Sequence, residues 1–107
     1  MYLRSWGRLH MNHSIPDRVL REITSFARKH RIEKVILFGS RAKGNHTERS
    51  DIDLAVVGED FDGFYWDVTE KTHTLLSFDI VELNANASDD LKKEIERDGV
   101  ILYEETR

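Results

Sequence analysis

The sequence predicts a small α/β (α+β) fold in which a mixed β-sheet is flanked by helices. Apolar residues recur with helical spacing at positions 19, 20, 23, 26 and 27, where they form one apolar helix face. Residues 35–38 are a continuous apolar run of the kind that makes a buried strand. Residues 51–57 place large apolar side chains on every second position, which is typical of a strand. Helical and strand patterns then alternate to the C-terminus, which predicts helices packed against one small sheet.

Length and composition indicate one small domain. The 107 residues are 39% hydrophobic and 34% charged, which fits a globular protein with a single modest core. The net charge of −4 argues against a general nucleic-acid binder, because such proteins carry a basic face. The sequence has no cysteine, which excludes disulfides and thiolate metal sites. No apolar run approaches the roughly 20 residues that span a bilayer, so we expect a cytoplasmic protein.

The first predicted helix begins after an unpatterned N-terminal stretch. Residues 1–13 follow neither a helical nor a strand pattern, and we expect them to form a poorly ordered leader. The ordered domain is predicted over residues 14–107. It starts with Ser14-Ile15-Pro16-Asp17, a capping box with proline in the first turn. This helix should end near His30, where basic side chains complement the helix dipole.

The remaining elements follow from apolar periodicity and from glycine and polar breaks. In chain order they are a strand over 34–38, a short helical turn from Ser40, a surface loop over 44–49, a strand over 51–57, a helix over 61–76, a strand over 78–83, a helix over 88–98 and an edge strand over 100–103. This order predicts one mixed sheet with helices on its faces.

Two aspartates of the 51–57 strand are predicted to lie on one face. Strand side chains alternate, so Asp51 and Asp53 project from the same side with Cα atoms roughly 6.5–7 Å apart. Carboxylates this close repel each other unless a cation lies between them. Mg²⁺ takes oxygen ligands and shares them with substrate phosphates. Upstream, Gly39 and Ser40 offer bare backbone and a hydroxyl to such phosphates, so the pattern predicts a phosphate-and-metal site.

A third carboxylate, Asp79, lies between Phe78 and Ile80 in a later strand. A carboxylate inside an apolar strand is costly to bury unless it is paired or bound to metal. If this strand lies beside the one that carries Asp51 and Asp53, Asp79 completes a cluster of three. In the alternative interpretation the three aspartates have structural roles. Asp51 caps a turn, Asp53 lies on a solvated strand face, and Asp79 is an edge-strand residue.

Together these motifs resemble the DNA polymerase β-type nucleotidyltransferase superfamily, in particular its minimal, MNT-type branch of bacteria and archaea. The positions that carry the resemblance are Phe38, Gly39, Ser40, Asp51, Ile52, Asp53, Leu54 and Asp79. The resemblance covers about residues 15–103, and neither half of the motif alone would be specific. It implies the fold of that superfamily and a minimal nucleotidyltransferase domain over residues 14–107.

The resemblance further implies two-metal nucleotidyl transfer from ATP. Asp51, Asp53 and Asp79 would be both catalytic and metal-binding. Asp51 and Asp53 would bind two Mg²⁺ ions that bridge the triphosphate, and Asp79 would hold the ion next to the acceptor hydroxyl and help to remove its proton.

The nucleotide-binding residues that it implies are Gly39, Ser40 and Arg41. Gly39 and Ser40 would contact the β- and γ-phosphates through a backbone N–H and a hydroxyl. Arg41 would add a charge-assisted hydrogen bond to phosphate. For Arg41 a solvated surface position is the alternative.

The acceptor is not specified by the motif. The chain has little length for an acceptor-binding domain, so we expect a separate protein to supply the acceptor. Minimal nucleotidyltransferases of this type resemble the antitoxin of two-gene modules whose partner is an all-helical HEPN-family ribonuclease toxin. On that resemblance the chain, in a hetero-oligomer, would transfer AMP from ATP to a tyrosine hydroxyl of the toxin. Two alternatives stay open: a small-molecule acceptor or separate substrate-binding subunit, and a non-catalytic antitoxin. No membrane or nucleic-acid partner is expected.

Overall fold

The structure, a computed structural model, describes residues 15–106. The predicted leader and Ser14 of the predicted capping box therefore lie outside the described residues. The elements are α1 (Asp17–Lys29), β1 (Ile32–Phe38), α2 (Gly39–Lys43), β2 (Ile52–Gly58), α3 (Phe61–Lys71), β3 (Phe78–Glu82), α4 (Leu83–Asn86), α5 (Asp89–Asp98) and β4 (Val100–Glu104). None of the helices in this part of the chain has the length and apolar character needed to cross a membrane.

The four strands form one mixed sheet in the order β3-β2-β1-β4. β1 pairs in antiparallel fashion with β2 and β4, whereas β2 and β3 are parallel. A parallel pair needs a long crossover connection, and α3 supplies it. The predicted mixed sheet with flanking helices is confirmed, and β4 lies at an edge as predicted.

Helices cover both faces of the sheet. α1 and α3 pack on one face over the larger core, which contains Ile52, Leu54 and Val56 of β2. α5 packs on the other face over a smaller core that contains Ala55 and Ile95. The alternation predicted for residues 51–57 is therefore confirmed, and it directs Asp53 to the face that α5 covers.

The third helix is shorter than the helical spacing predicted, because α3 ends at Lys71 and residues 72–77 form a loop. Thr72 leaves the helix with an extended ψ of 137°. The next backbone N–H, that of His73, donates to the Glu22 carboxylate of α1. A tertiary hydrogen bond thus takes over where apolar spacing alone would continue the helix, and the loop leads the chain into β3.

Candidate active site

Gly39 joins β1 to α2 and packs against the carboxylate of Asp53. Its φ of 75° lies in the left-handed region that favours glycine. A Cβ at this position would overlap Oδ2 of Asp53 and lie 3.0 Å from its Cγ. Glycine is therefore required here both for the turn and for the close approach of Asp53 to the backbone.

Ser40 follows in the first turn of α2, with a half-buried side chain. α2 has no side-chain cap hydrogen bond at its start, so Ser40 does not act as an N-cap. Among residues 15–106 its hydroxyl has no hydrogen-bond partner. Of the predicted phosphate-binding pair, Gly39 lies directly beside the carboxylate of Asp53, and Ser40 is the next residue along the chain.

The parallel pairing of β2 and β3 brings the predicted carboxylates together. Asp53 and Asp79 are direct partners in the register, which puts their Cα atoms about 4.8 Å apart, the usual distance between paired strands. Asp51 precedes Asp53 by two residues and is exposed, as is Asp79, whereas Asp53 is half-buried. The three aspartates lie at the N-terminal ends of β2 and β3, where β1 ends.

The electrostatics of this cluster disfavour a charge on Asp53. Burial, followed by repulsion from Asp79, Asp51 and Glu94, raises the pKa of Asp53 from its ordinary 3.8 to about 6, and the Arg41 guanidinium opposes the rise in part. The repulsion between ionised carboxylates at neutral pH is relieved by a cation held between them.

The cluster is an open set of oxygen donors. Within residues 15–106 no group of three or more histidine, cysteine, aspartate or glutamate side chains is arranged to hold a metal ion by itself. Mg²⁺ usually binds one or two carboxylates together with waters and substrate phosphates, and needs no complete protein cage. Asp51, Asp53 and Asp79 fit a hard divalent ion that is shared with a polyphosphate.

Arg41, which was predicted to contact phosphate, is buried and bonded to backbone carbonyls. Its side chain is only 3% exposed, which also excludes a solvated surface position. Its Nε donates to the Ser50 carbonyl at 3.1 Å and its Nη2 donates to the Glu48 carbonyl at 3.2 Å. Arg41 thus connects α2 to the loop that carries Asp51, which is a positioning role, and its contact with phosphate stays a prediction.

Glu94 is the residue of this site that the sequence patterns missed. It lies on α5, and its charge contributes to the high pKa of Asp53. Its Oε2 forms an ion pair with Nζ of Lys43 of α2 at 3.5 Å. Its position beside the inward-facing Ile95 was the only signal in the sequence. The packing of α5 on the sheet, which no motif encodes, brings it to the cluster.

The sequence profile of the family described as "Polymerase beta, Nucleotidyltransferase" matches residues 21–107 of this chain. The match spans the strands that carry the cluster and the turn after β1. All six predicted site residues lie inside it.

Similar solved structures include toxin–antitoxin proteins. One, a toxin–antitoxin with AMP-PNP, has a TM-score of 0.64 and 26% identity, and the alignment covers 81% of this chain and 74% of that one. A variant of the toxin–antitoxin MntA-HpeT has a TM-score of 0.62 and 28% identity, with 80% and 72% covered.

A curated relative is the "putative protein adenylyltransferase" of Methanocaldococcus jannaschii. It is 64% identical to this chain over 33 residues, which make up 30% of this chain and 33% of the relative. The matched segment thus spans about a third of the relative's length.

Proposed function

We propose that this chain, which belongs to the polymerase beta-type nucleotidyltransferase family, transfers AMP from ATP to a tyrosine hydroxyl of a HEPN-type toxin and acts as its antitoxin. The observation that carries the proposal is the pairing of Asp53 with Asp79 beside the turn at Gly39. The toxin–antitoxin proteins among the similar structures support the antitoxin role. The similarity to the "putative protein adenylyltransferase" supports AMP as the transferred group.

In this proposal the carboxylate cluster holds the donor nucleotide through divalent ions. Asp51, Asp53 and Asp79 would hold two Mg²⁺ ions, whose charge would stabilise the triphosphate and the attacking oxygen. Gly39 contributes its backbone N–H and Ser40 its hydroxyl to the β- and γ-phosphates. The half-buried position of Asp53 and the charge of its neighbours support this assignment, because such a cluster attracts cations.

The transfer is a displacement at the α-phosphorus of ATP. The acceptor hydroxyl oxygen forms a bond to this phosphorus, the bond from the phosphorus to the α,β-bridging oxygen breaks, and pyrophosphate leaves. The proton of the hydroxyl goes to Asp79, which is exposed at the open edge of the cluster and acts as general base. The products are an AMP ester of the acceptor and pyrophosphate.

Mass measurement after incubation tests the proposal. The chain is mixed with ATP, Mg²⁺ and the protein encoded beside it in the genome, and the masses of both proteins are measured by mass spectrometry. We expect one AMP on the neighbour, absent with Asp53→Ala and retained with Asp62→Ala, which changes an exposed aspartate of α3.

Other outcomes select the alternatives. A neighbour that is inhibited but unmodified would replace the catalytic proposal with a non-catalytic antitoxin. Labelled AMP on a small molecule, with the neighbour untouched, would indicate a small-molecule nucleotidyltransferase.

A further inference from the structure

A cavity of about 450 Å³ opens directly beside Asp51. It lies between the loop that precedes β2 and the loop that precedes β3, and we refer to it as the Asp51 groove. Its lining residues are Glu48, Arg49, Asp51, Leu75, Leu76 and Ser77. The volume is in the range of ligand-binding clefts, and Asp51 belongs both to this groove and to the carboxylate cluster.

The wall of the groove holds a leucine out of the core. Leu75 is fully exposed, while its neighbours are anchored: Leu76 packs against the larger core, and the Ser77 carbonyl accepts from the Ile52 backbone N–H at 2.9 Å. The Leu76 backbone N–H also donates to the Thr74 hydroxyl. The exposure of Leu75 therefore follows from an anchored loop. An apolar side chain held in this way is suited to contact with an apolar group of a partner.

The opposite wall carries two charges that are available for pairing. Arg49 and Glu48 are exposed, and within residues 15–106 neither side chain forms a hydrogen bond or an ion pair. Asp51 adds a second carboxylate to the lining, so the groove does not favour a polyanion as a whole. It favours a segment that offers an acidic group to Arg49 and an apolar group to Leu75.

The strand order indicates which substrate enters on this side. β2 lies between β1 and β3; the Gly39–Ser40 turn follows β1, and residues 75–77 of the groove precede β3. In an in-line displacement the attacking and leaving oxygens lie on opposite sides of the phosphorus. With the phosphates on the β1 side, the acceptor hydroxyl arrives from the β3 side, where Asp79 and the groove lie.

The geometry points to the Asp51 groove as the docking site for the polypeptide segment that presents the acceptor hydroxyl. In the complex an apolar side chain of that segment contacts Leu75, and an acidic side chain pairs with Arg49. This inference rests on the proposed function, because it names the surface by which the same site recognises a protein acceptor.

Steady-state kinetics with the adjacent-gene protein as acceptor test the inference. Leu75→Ser and Arg49→Glu should each raise KM for the acceptor by about tenfold, a typical loss for a contact residue at the centre of an interface. KM for ATP and kcat should remain within about twofold. Both positions are exposed, so folding should be unaffected, and Trp66→Ser on α3, also exposed, is the control that should change nothing.

A binding measurement removes the dependence on turnover. The chain has no cysteine, so Leu75→Cys and Trp66→Cys each accept a single environment-sensitive fluorophore. Without Mg²⁺, the acceptor protein should shift the emission of the label at position 75 and leave that at position 66 unchanged. A shift caused by ATP alone would show that the groove holds the nucleotide, and would overturn the inference.

Failure of the inference and failure of the proposed function give different results. If the wild-type chain transfers AMP to the protein and both groove variants keep the wild-type KM, only the inference is overturned. If the groove variants raise KM for ATP and leave KM for the acceptor unchanged, the inference is likewise overturned and the proposed function stands. If the wild-type chain modifies no protein, the proposed function fails and the inference falls with it.

Discussion

At the scale of single residues, the site depends on how closely a backbone and a carboxylate approach each other. Gly39 has no side chain to separate the β1–α2 turn from Asp53, and the carboxylate occupies the place a Cβ would take. At this position burial and its charged neighbours raise the pKa of Asp53. The absence of a side chain at Gly39 thus determines where this carboxylate lies.

Gly39→Ala should reduce AMP transfer by about 100-fold, because the new Cβ displaces Asp53 from its position by the order of an ångström. The backbone strain of an alanine with positive φ adds about 1 kcal/mol of destabilisation. Gly44→Ala is a matched control: its φ is 83°, but a Cβ there meets nothing within 4 Å. It should show the same strain in thermal unfolding and keep its activity. Equal loss of activity in both variants would contradict the role given to the contact with Asp53.

Asp53→Asn should stabilise the protein in the absence of divalent ions while abolishing transfer. A carboxyl whose pKa is raised from 3.8 to about 6 on folding contributes stability that is present below pH 3.8 and is lost as the pH rises through 6. At pH 7.5 the penalty is complete, and its removal should add about 1 kcal/mol after allowance for solvent screening.

Urea unfolding in a chelating buffer at pH 7.5 and at pH 4 checks this expectation. The free energy of unfolding of Asp53→Asn should exceed that of the wild type at pH 7.5, and the difference should be small at pH 4. Mg²⁺ should stabilise the wild type more than the variant. A variant that is less stable than the wild type at pH 7.5 would show that the cluster does not repel Asp53.

At the scale of elements, the site is assembled by connections between secondary structures. Arg41 joins α2 to the loop before β2 through carbonyls, and the ion pair of Lys43 with Glu94 joins α2 to α5. The loop delivers Asp51, and α5 delivers Glu94. The geometry of the cluster therefore depends on contacts that hold α2, a helix of five residues, between its neighbours.

Arg41→Lys should destabilise the protein by about 2 kcal/mol, because a single ammonium group cannot reach several carbonyls and leaves buried acceptors unpaired. In the wild type the Ser50 backbone N–H donates to the Thr47 carbonyl. In the variant, hydrogen exchange at this N–H should be faster, because the loop is held less firmly. Arg49→Lys, in the same loop but exposed, is the matched control and should leave stability unchanged. Unaltered stability of Arg41→Lys would contradict the positioning role.

The sequence was informative where a local pattern decides the structure. Alternation over residues 51–57 placed Asp53 on the correct face, and the break at Gly39 placed the turn. The predicted length of α3 was wrong, because the Glu22 carboxylate of α1 accepts a hydrogen bond from the His73 backbone N–H beyond the end of the helix. The roles of Arg41 and Glu94 depend on burial and on helix packing, which arise only once the chain has folded.

At the scale of the whole molecule, chemistry and anchorage lie at opposite ends of the sheet. The carboxylate cluster lies where β1 ends, whereas Asp67 of α3 lies near its beginning, buried to 3% exposure. There Asp67 Oδ2 accepts from His30 Nε2 at 2.7 Å and from Lys29 Nζ at 3.0 Å, and Oδ1 binds Lys71 Nζ at 3.0 Å. This network fastens α3 to the end of α1 over the larger core.

Asp67→Asn should destabilise the fold by about 2 kcal/mol, because it replaces a buried carboxylate that accepts charge-assisted hydrogen bonds from His30 and two lysines. The hydrogen bond from His30, with those from Lys71 and Lys29, holds the pKa of Asp67 well below its usual range. The stability that Asp67 contributes is therefore present above pH 3.8 and is lost as the pH falls below that value. The difference in free energy of unfolding between variant and wild type, measured with urea, should be full at pH 7 and should narrow below pH 4.

At temperatures where both proteins are folded, kcat of Asp67→Asn should equal that of the wild type, since the network lies away from the cluster. A fall in kcat comparable to that of Asp53→Asn would show that the two ends of the sheet are coupled and would contradict this separation of anchorage from chemistry.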